Sequence, residues 1–592
     1  MALAVALCLP PTGLADAPGT ENGPRFRQII ERYCNAWYLR APKVDRGYPL
    51  RDLDVLVREC YLKREHRPAW SAAAARDLLG VVRGAEADGL NPRDYRWERI
   101  EALLPVFGSD AGEGGLERRA LLDILLTETF MVYGRHLAMG RIDPRGTFYQ
   151  WAPTRRQNNM IRAFSEAVEG GDVAGALRKL APGHPGYGQM RHELSTLRHI
   201  AAAGGWPTIP GARLKRGDRN HRVLLLRERL LLGRDLKSTD SKGNEQAFDA
   251  TLEAAVRQFQ LRHGLAPTGV ADTETLAAMN VPASERLRQM ALNMERWRWL
   301  PDDFGPRYLL AMIPDCWLFG VENGQTVLSM KTVMGSPKTP SPIFSHQMSY
   351  LEINPLWGLP NSIIVGEILP KVRKDPEYLK KKRIRILENW GEGARPIPPE
   401  TIDWAKMNPD RFPYPMIQDA GVNPLGRIKF MFPNTFDVYL HDTTEKHLFK
   451  RRRRFYSHGC IRVEKPYDLA LWLLQDDPAW DRDRLVGTVK KGKRIKVFLS
   501  STVPVHILYL TAWVDGNSLP QYRRDVYGYD KVQDAAMGMR STPLTGADAF
   551  SLLRRPDPPV GAFRAPEPRQ TQAPPRNGSS FDRFGRKSIS ER

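Results

Sequence analysis

Cysteine is scarce in this sequence, with five residues in 592, at Cys8, Cys34, Cys60, Cys316 and Cys460. No two form a CxxC pair and no His/Cys cluster has zinc-ligand spacing, so the sequence calls for no metal. Cys34 and Cys60 lie in one amino-terminal segment, where a disulfide in an oxidising compartment and two buried free thiols are equally open readings. Cys316 follows a strand-like run and reads as core packing. Acid is also short: 67 Asp and Glu face 88 Lys and Arg, a formal net charge of +21. Such an excess points to an anionic partner or surface, and nucleic acid, membrane and cell-wall polymer all qualify. No finger, recognition-helix or RNP pattern accompanies it, and the densest basic run, Arg451 to Arg454, sits near a cysteine, so no nucleic-acid partner is indicated. No apolar run reaches membrane-spanning length, so no transmembrane span is expected.

What is present is enough for several cores. The chain is too long for one compact unit, and 42% hydrophobic with 26% charged residues is ordinary globular composition. Met1 to Ala17 has an apolar stretch from Ala2 to Leu9, then Pro10 and Pro11, then Ala15-Asp16-Ala17, which fits the small-x-small rule for signal cleavage and predicts export. Helical periodicity runs from Arg25 to about Ile200, as in Ala120 to Leu126 and Val173 to Leu180, and predicts an all-α domain over 27–205. Gly204-Gly205-Trp206-Pro207 breaks that pattern. Two amphipathic helices, Val223 to Leu232 and Thr251 to His263, then predict a small helical module over 211–283.

From Arg307 the text becomes β-like, with Tyr308 to Ile313 and Thr326 to Met330 separated by the turn signal Glu322-Asn323-Gly324. A mostly β domain is expected over 306–500, interrupted by a charged, Pro-rich helical insert at about 371–420 that reads as a lid. Residues 501–535 read as a carboxy-terminal extension of the scaffold or catalytic unit. The stretch 540–592, basic and rich in Pro, Gly and Ser, has too few large apolar residues to offset its ordering entropy and reads as disordered.

The most informative heptad is Ser457-His458-Gly459-Cys460-Ile461-Arg462-Val463. A cysteine nucleophile needs help to become thiolate, its free pKa being about 8.5, and needs donors for the oxyanion its attack creates. Gly459 lets the backbone approach a carbonyl, so the Gly459 and Cys460 amides are candidate oxyanion donors, while Arg454 and Arg462 add positive charge. A base must come from elsewhere, and His441 stands at the end of the apolar run Tyr439-Leu440-His441-Asp442-Thr443.

The blocks Asn423-Pro424-Leu425-Gly426-Arg427-Ile428-Lys429-Phe430, Tyr439 to Thr443 and Ser457 to Val463 together resemble the catalytic signature of L,D-transpeptidases. That resemblance implies Cys460 as nucleophile, His441 as base, and Ser457, His458 and Gly459 as the turn shaping the pocket. It extends to Asn354-Pro355-Leu356-Trp357-Gly358-Leu359-Pro360-Asn361-Ser362-Ile363, so that Asn354, Trp357, Tyr439, Arg454 and Arg462 are candidate substrate-binding residues. Ala254 to Gln260, with His263-Gly264-Leu265, Thr268-Gly269-Val270 and Thr273 to Leu276, resembles a helical peptidoglycan-binding domain. Arg67-Pro68-Ala69-Trp70 and Asp88 to Tyr95 resemble the scaffold domain of the large Gram-negative transpeptidases, and the insert resembles their capping subdomain.

The fold so implied is multidomain α+β: a mostly β catalytic domain with a helical lid, plus α-helical scaffold and peptidoglycan-binding domains. The activity implied is 3-3 cross-linking of peptidoglycan in the periplasm, through a Cys thioester and release of D-Ala from a tetrapeptide stem, with no cofactor and with carbapenems as acylating inhibitors. Stem peptides and glycan are the expected partners, alongside other cell-wall synthesis proteins. Water, a free D-amino acid or the lysine of an outer-membrane protein are alternative acceptors, and a non-catalytic peptidoglycan-binding protein is the rival of another class.

Overall fold

The computed structural model describes residues 23–37, 51–108, 113–148, 150–152, 159–237, 245–391, 393–408 and 411–538. The expectations for Met1 to Ala17, Cys8 and 540–592 lie outside the described residues.

The amino-terminal helices pack around Glu113–Met139, a 27-residue helix whose buried stretch carries a carboxylate. Asp123 accepts from Tyr61 Oη at 2.7 Å and from the backbone N–H groups of Ala69 and Trp70 at 3.0 and 3.2 Å. The Arg67 to Trp70 segment is thus tied to the long helix, with the indole of Trp70 closing on Thr127 at 2.9 Å. Cys34 and Cys60 are both buried and unpaired, and burial pushes each thiol up to about 12. Of the two readings left open for them, free thiols are what the fold contains.

The second module is three helices, His221–Leu232, Ala250–Arg262 and Thr273–Met279, around Leu226, Val256 and Phe259. Its sequence series has one physical origin. The fully buried amide of Gln260 donates to Val270 O at 2.8 Å and Thr275 Oγ1 at 3.0 Å, and accepts from the Gly269 N–H at 2.9 Å. Gly269 holds φ +76°, a conformation that favours glycine.

The catalytic region is a ten-stranded sheet in which two short strands, Trp151–Ala152 and Phe455–Ser457, decorate eight others. These are β1 (Arg307–Met312), β2 (Trp317–Glu322), β3 (Gln325–Gly335), β4 (Ile343–Ile353), β5 (Ile428–Met431), β6 (Leu440–His441), β7 (Ile461–Val463) and β8 (Ile495–Leu508). Their order is β4-β5-β6-β7-β3-β2-β1-β8, and β8 pairs β4 again, which closes the sheet on itself. Period-2 alternation drives one face inward: Leu351, Ile353, Ile428, Phe430, Leu440, Ile461 and Val497 are buried in one core.

Three boundaries differ from the sequence reading. β8 continues past residue 500, with a register shift against β4 between Phe498 and Val503, and the catalytic sheet ends at Leu508, because Val505, Ile507 and their neighbours pair with both β1 and β4. The helix Pro185–Ala202, expected in the scaffold, packs instead with Ala283–Trp297 and the hairpin Ala512–Val514/Pro520–Tyr522 in a separate core. The lid starts before residue 371: Trp357–Gly358 pairs with Met416–Gln418 in a small four-stranded sheet over its own core of Leu359, Ile364, Ile368, Ile386 and Met416.

Candidate active site

Strand register assembles the site. Across β4, β5 and β6 the paired residues are Glu352, Lys429 and His441, and His441 pairs in turn with Arg462 on β7. Side chains alternate along a strand, so the positions two residues removed share this face: Tyr439 at the start of β6 and Cys460 at the start of β7. The Ile461 N–H donates to Tyr439 O at 3.2 Å, which fixes those two strand ends against each other. Lys429 Nζ lies 3.9 Å from the Tyr439 ring centroid, and the Tyr439 and His441 rings meet edge to face at 5.7 Å.

Cys460 is half-buried and unpaired. Burial raises its thiol, while the polar groups of Tyr439 and the charges of Lys429 and Arg462 work in the opposite direction. Its Sγ also lies 4.0 Å from Asp437 O. His441 is buried, and its Nδ1 meets the backbone carbonyl of Asp442. A carbonyl only accepts, so Nδ1 carries the proton and Nε2 is left as the basic nitrogen. Burial first, then Arg462 and Lys429, bring the imidazole down to about 3, so it is neutral at physiological pH. The Asp442 carboxylate takes no part in orienting it, being occupied by Lys446 Nζ and the Arg427 N–H. Among the described residues no hydrogen bond joins His441 to Cys460 in this resting arrangement.

The nucleophile turn is built by Ser457, which donates to Cys460 O and accepts the Gly459 N–H at 3.3 Å. Gly459 has φ +111°, and its carbonyl accepts from Ser341 Oγ at 2.7 Å. A thiol beside a phenol and a neutral imidazole, in a tight turn, is suited to nucleophilic acyl transfer.

Residues 306–497 match the family model described as L,D-transpeptidase catalytic domain, 229–279 the one described as "Putative peptidoglycan binding domain", and 55–194 the scaffold domain. Residues 306–497 form an L,D-transpeptidase catalytic domain. A curated relative from Haemophilus influenzae, named "Putative L,D-transpeptidase", is 32% identical over 256 residues, 43% of this chain. The match spans 51% of that relative, about half its length. Among solved structures, the L,D-transpeptidase from Mycobacterium smegmatis is 14% identical over 34% of this chain and 58% of that one, with a TM-score of 0.17. The L,D-transpeptidase from Stackebrandtia nassauensis is 12% identical over 51% of this chain and 96% of that one, with a TM-score of 0.19.

Within this transpeptidase domain the expected residues fall into two groups. Cys460, His441, Tyr439 and Arg462 share one face, while Gly459 and Ser457 shape its turn. Of the two amides expected to bind the oxyanion, the Gly459 N–H is taken by Ser457, which leaves the Cys460 N–H. His458 points elsewhere: its side chain is exposed, and Nε2 sits 3.7 Å from Glu367 of the lid, so it adjoins the nucleophile in sequence only.

Three proposed substrate contacts lie apart from that face. Arg454 is buried and spends four of its five N–H donors on the carbonyls of Thr332, Arg451, Arg452 and Cys316. Asn354 is fully buried at φ +50°, its amide donating to Thr488, Val489 and Lys493 carbonyls. Trp357 is half-buried against the lid core.

Sequence reasoning missed Ser341, Tyr527 and Lys429. Ser341 holds the Gly459 carbonyl, and Tyr527 Oη accepts the Ser341 N–H at 3.2 Å while donating to Gly335 O at 2.8 Å. No local pattern announces two residues 186 positions apart. Lys429 did carry a signal: Ile428 and Phe430 face the core, so alternation sends the lysine between them to the site.

Proposed function

We propose that this chain forms 3-3 cross-links between peptidoglycan stems through a thioester on Cys460. The observation that carries the reading is the shared face of β6 and β7, where register brings a thiol, a phenol and a neutral imidazole together. The Cys460 proton passes to His441 Nε2 as Sγ attacks the carbonyl between the third and fourth residues of a tetrapeptide stem. Negative charge develops on the carbonyl oxygen and is met by the Cys460 N–H, with the Tyr439 phenol beside it. The C–N bond breaks, the imidazolium returns its proton to the departing D-Ala amine, and a thioester remains. A side-chain amine of a second stem then attacks the thioester, giving its proton through His441 to the thiolate that leaves.

The helical module supports a polymeric substrate, since it resembles domains that bind peptidoglycan and meets the catalytic unit through a cluster of charges. Glu274 on its helix Thr273–Met279 pairs with Arg452 at 2.5 Å and Arg524 at 2.8 Å, and Arg453 lies 3.5 Å away. We place the reaction in the periplasm on the strength of the amino-terminal apolar segment and its Ala15-Asp16-Ala17 site. The test is digestion of peptidoglycan after incubation with the enzyme, followed by mass spectrometry of the fragments. Dimers joined between two third-position residues, with free D-Ala released, are expected. Tripeptides alone would replace cross-linking by hydrolysis, and unchanged tetrapeptides would favour a binding protein.

A further inference from the structure

The mechanism above leaves the charge of the forming thiolate unaccounted for. His441 is neutral at rest and hydrogen-bonded away from the sulfur, so it offers no standing positive charge. Two cations share the face. Arg462 is committed to an ion pair with Glu445, which offsets its charge. Lys429 stands opposite His441 in the register, with its Nζ over the Tyr439 ring at 3.9 Å.

We propose that Lys429 is a positioning residue of the transpeptidase: its ammonium, seated on the Tyr439 ring, is the fixed positive charge against which the Cys460 thiolate forms. Cation–π contact with the Tyr439 face holds the ammonium in place, and the phenol of the same residue acts with it to lower the thiol, so one side chain stands between both groups. The groups facing Lys429 from other strands fit this assignment. Glu352, its register partner on β4, is buried and already receives Arg494 Nη2 at 2.9 Å, so it is not left to cancel the lysine alone. Asp437 acts from the loop before β6. Burial holds Lys429 below the ordinary lysine value, and Glu352 and Cys460 work against that fall.

The same charge acts on the second half of the step. Lys429 lowers the proton affinity of His441, so the imidazolium made when Sγ loses its proton is a stronger acid. It therefore returns that proton readily when the C–N bond breaks and the amine departs. Lys429 itself gains and loses no proton: it keeps its charge while the proton travels from Sγ to His441 Nε2 to the leaving amine.

This inference rests on Cys460 being the nucleophile, but its test needs no stem peptide, so it stands or falls apart from cross-linking. Full-length protein is alkylated with iodoacetamide across a pH series, and the Cys460 peptide is followed by mass spectrometry, which excludes the three buried thiols Cys34, Cys60 and Cys316. An opposite charge nearby shifts an acid by about one unit or more, and the higher nucleophilicity of a more basic thiolate offsets part of the loss. Lys429→Met should therefore alkylate about three- to tenfold more slowly at each pH below the thiol's midpoint, with the log-rate line displaced to higher pH. Lys429→Arg should restore the wild-type line to within about twofold. Circular dichroism establishes that each variant is folded, and Lys429→Gln takes the place of Lys429→Met if that variant is not. Superimposable lines for wild type and the neutral variant would overturn the assignment, as would an arginine variant no faster than the methionine one.

Discussion

His441 holds its Nδ1 proton against the Asp442 carbonyl, and that single contact decides which nitrogen can act as base. His441→Ala should lower the single-turnover acylation rate by about a hundredfold to ten-thousandfold, the usual cost of losing a general base. His458→Ala, which loses only an exposed contact to Glu367, should keep most of the rate. A larger loss at His458 would reverse the assignment. The pH dependence follows from the same environment. Burial and two cations bring the imidazole down to about 3, and burial raises the Cys460 thiol, so both are neutral over a wide interval. The acylation rate should be flat from about pH 5 to about pH 8, measured as kcat/KM. An acidic limb centred near an ordinary histidine would contradict it. At this scale the sequence was informative about residues that do chemistry and poor about those that do not. Cys460 and His441 stood out because a reactive thiol needs a base and a turn. Arg454 and Asn354 looked like ligands because neither burial nor a carbonyl partner can be read from a one-dimensional string.

At the scale of elements, the nucleophile turn depends on a segment far away in sequence. The turn between β3 and β4 that carries Ser341 and the carboxy-terminal Tyr527 meet at Gly335 and Gly459, and their hydroxyls supply the bonds the nucleophile turn lacks. Removing a hydrogen-bonding partner in a buried site costs about 1–3 kcal/mol. Ser341→Ala should therefore lower the melting temperature modestly and cut acylation more than substrate binding, because the Gly459 carbonyl loses its donor and the Cys460 amide drifts. Wild-type kcat together with a raised KM would show that the serine only supports the fold. The strands themselves were legible from alternation, as in Arg427 to Phe432, whereas β8 was cut at residue 500 because its central stretch is polar and partly exposed. The lid's start was missed for a related reason: Trp357 reads as a catalytic strand until its partner at Gln418 is known.

At the scale of the molecule, buried charge joins the units. Glu295 and Arg298 are fully buried and paired at 2.7 Å, and Glu295 also accepts backbone N–H groups from Arg141 and Ile142. Arg298 reaches the Tyr187 phenol at 2.9 Å and the Asp88 carbonyl, so one pair ties the amino-terminal helical region to the helix Ala283–Trp297. Breaking a buried pair from one side leaves an uncompensated charge and costs about 3–5 kcal/mol. Glu295→Gln should lower the thermal transition by several degrees, and an unchanged melt would remove this pair from the account. The order of domains was readable from signatures such as Asp88 to Tyr95. Their mutual packing was not, since the partners of Asp88 lie about 100 and 210 residues downstream.

The most direct test of the central claim is the intact mass of the enzyme trapped during turnover with a purified tetrapeptide stem. A mass increase equal to the stem less D-Ala, located on Cys460 by fragmentation, absent from Cys460→Ala and replaced by a carbapenem adduct at the same sulfur, is the result predicted. A covalent stem on any other residue, or one that persists in Cys460→Ala, would contradict it.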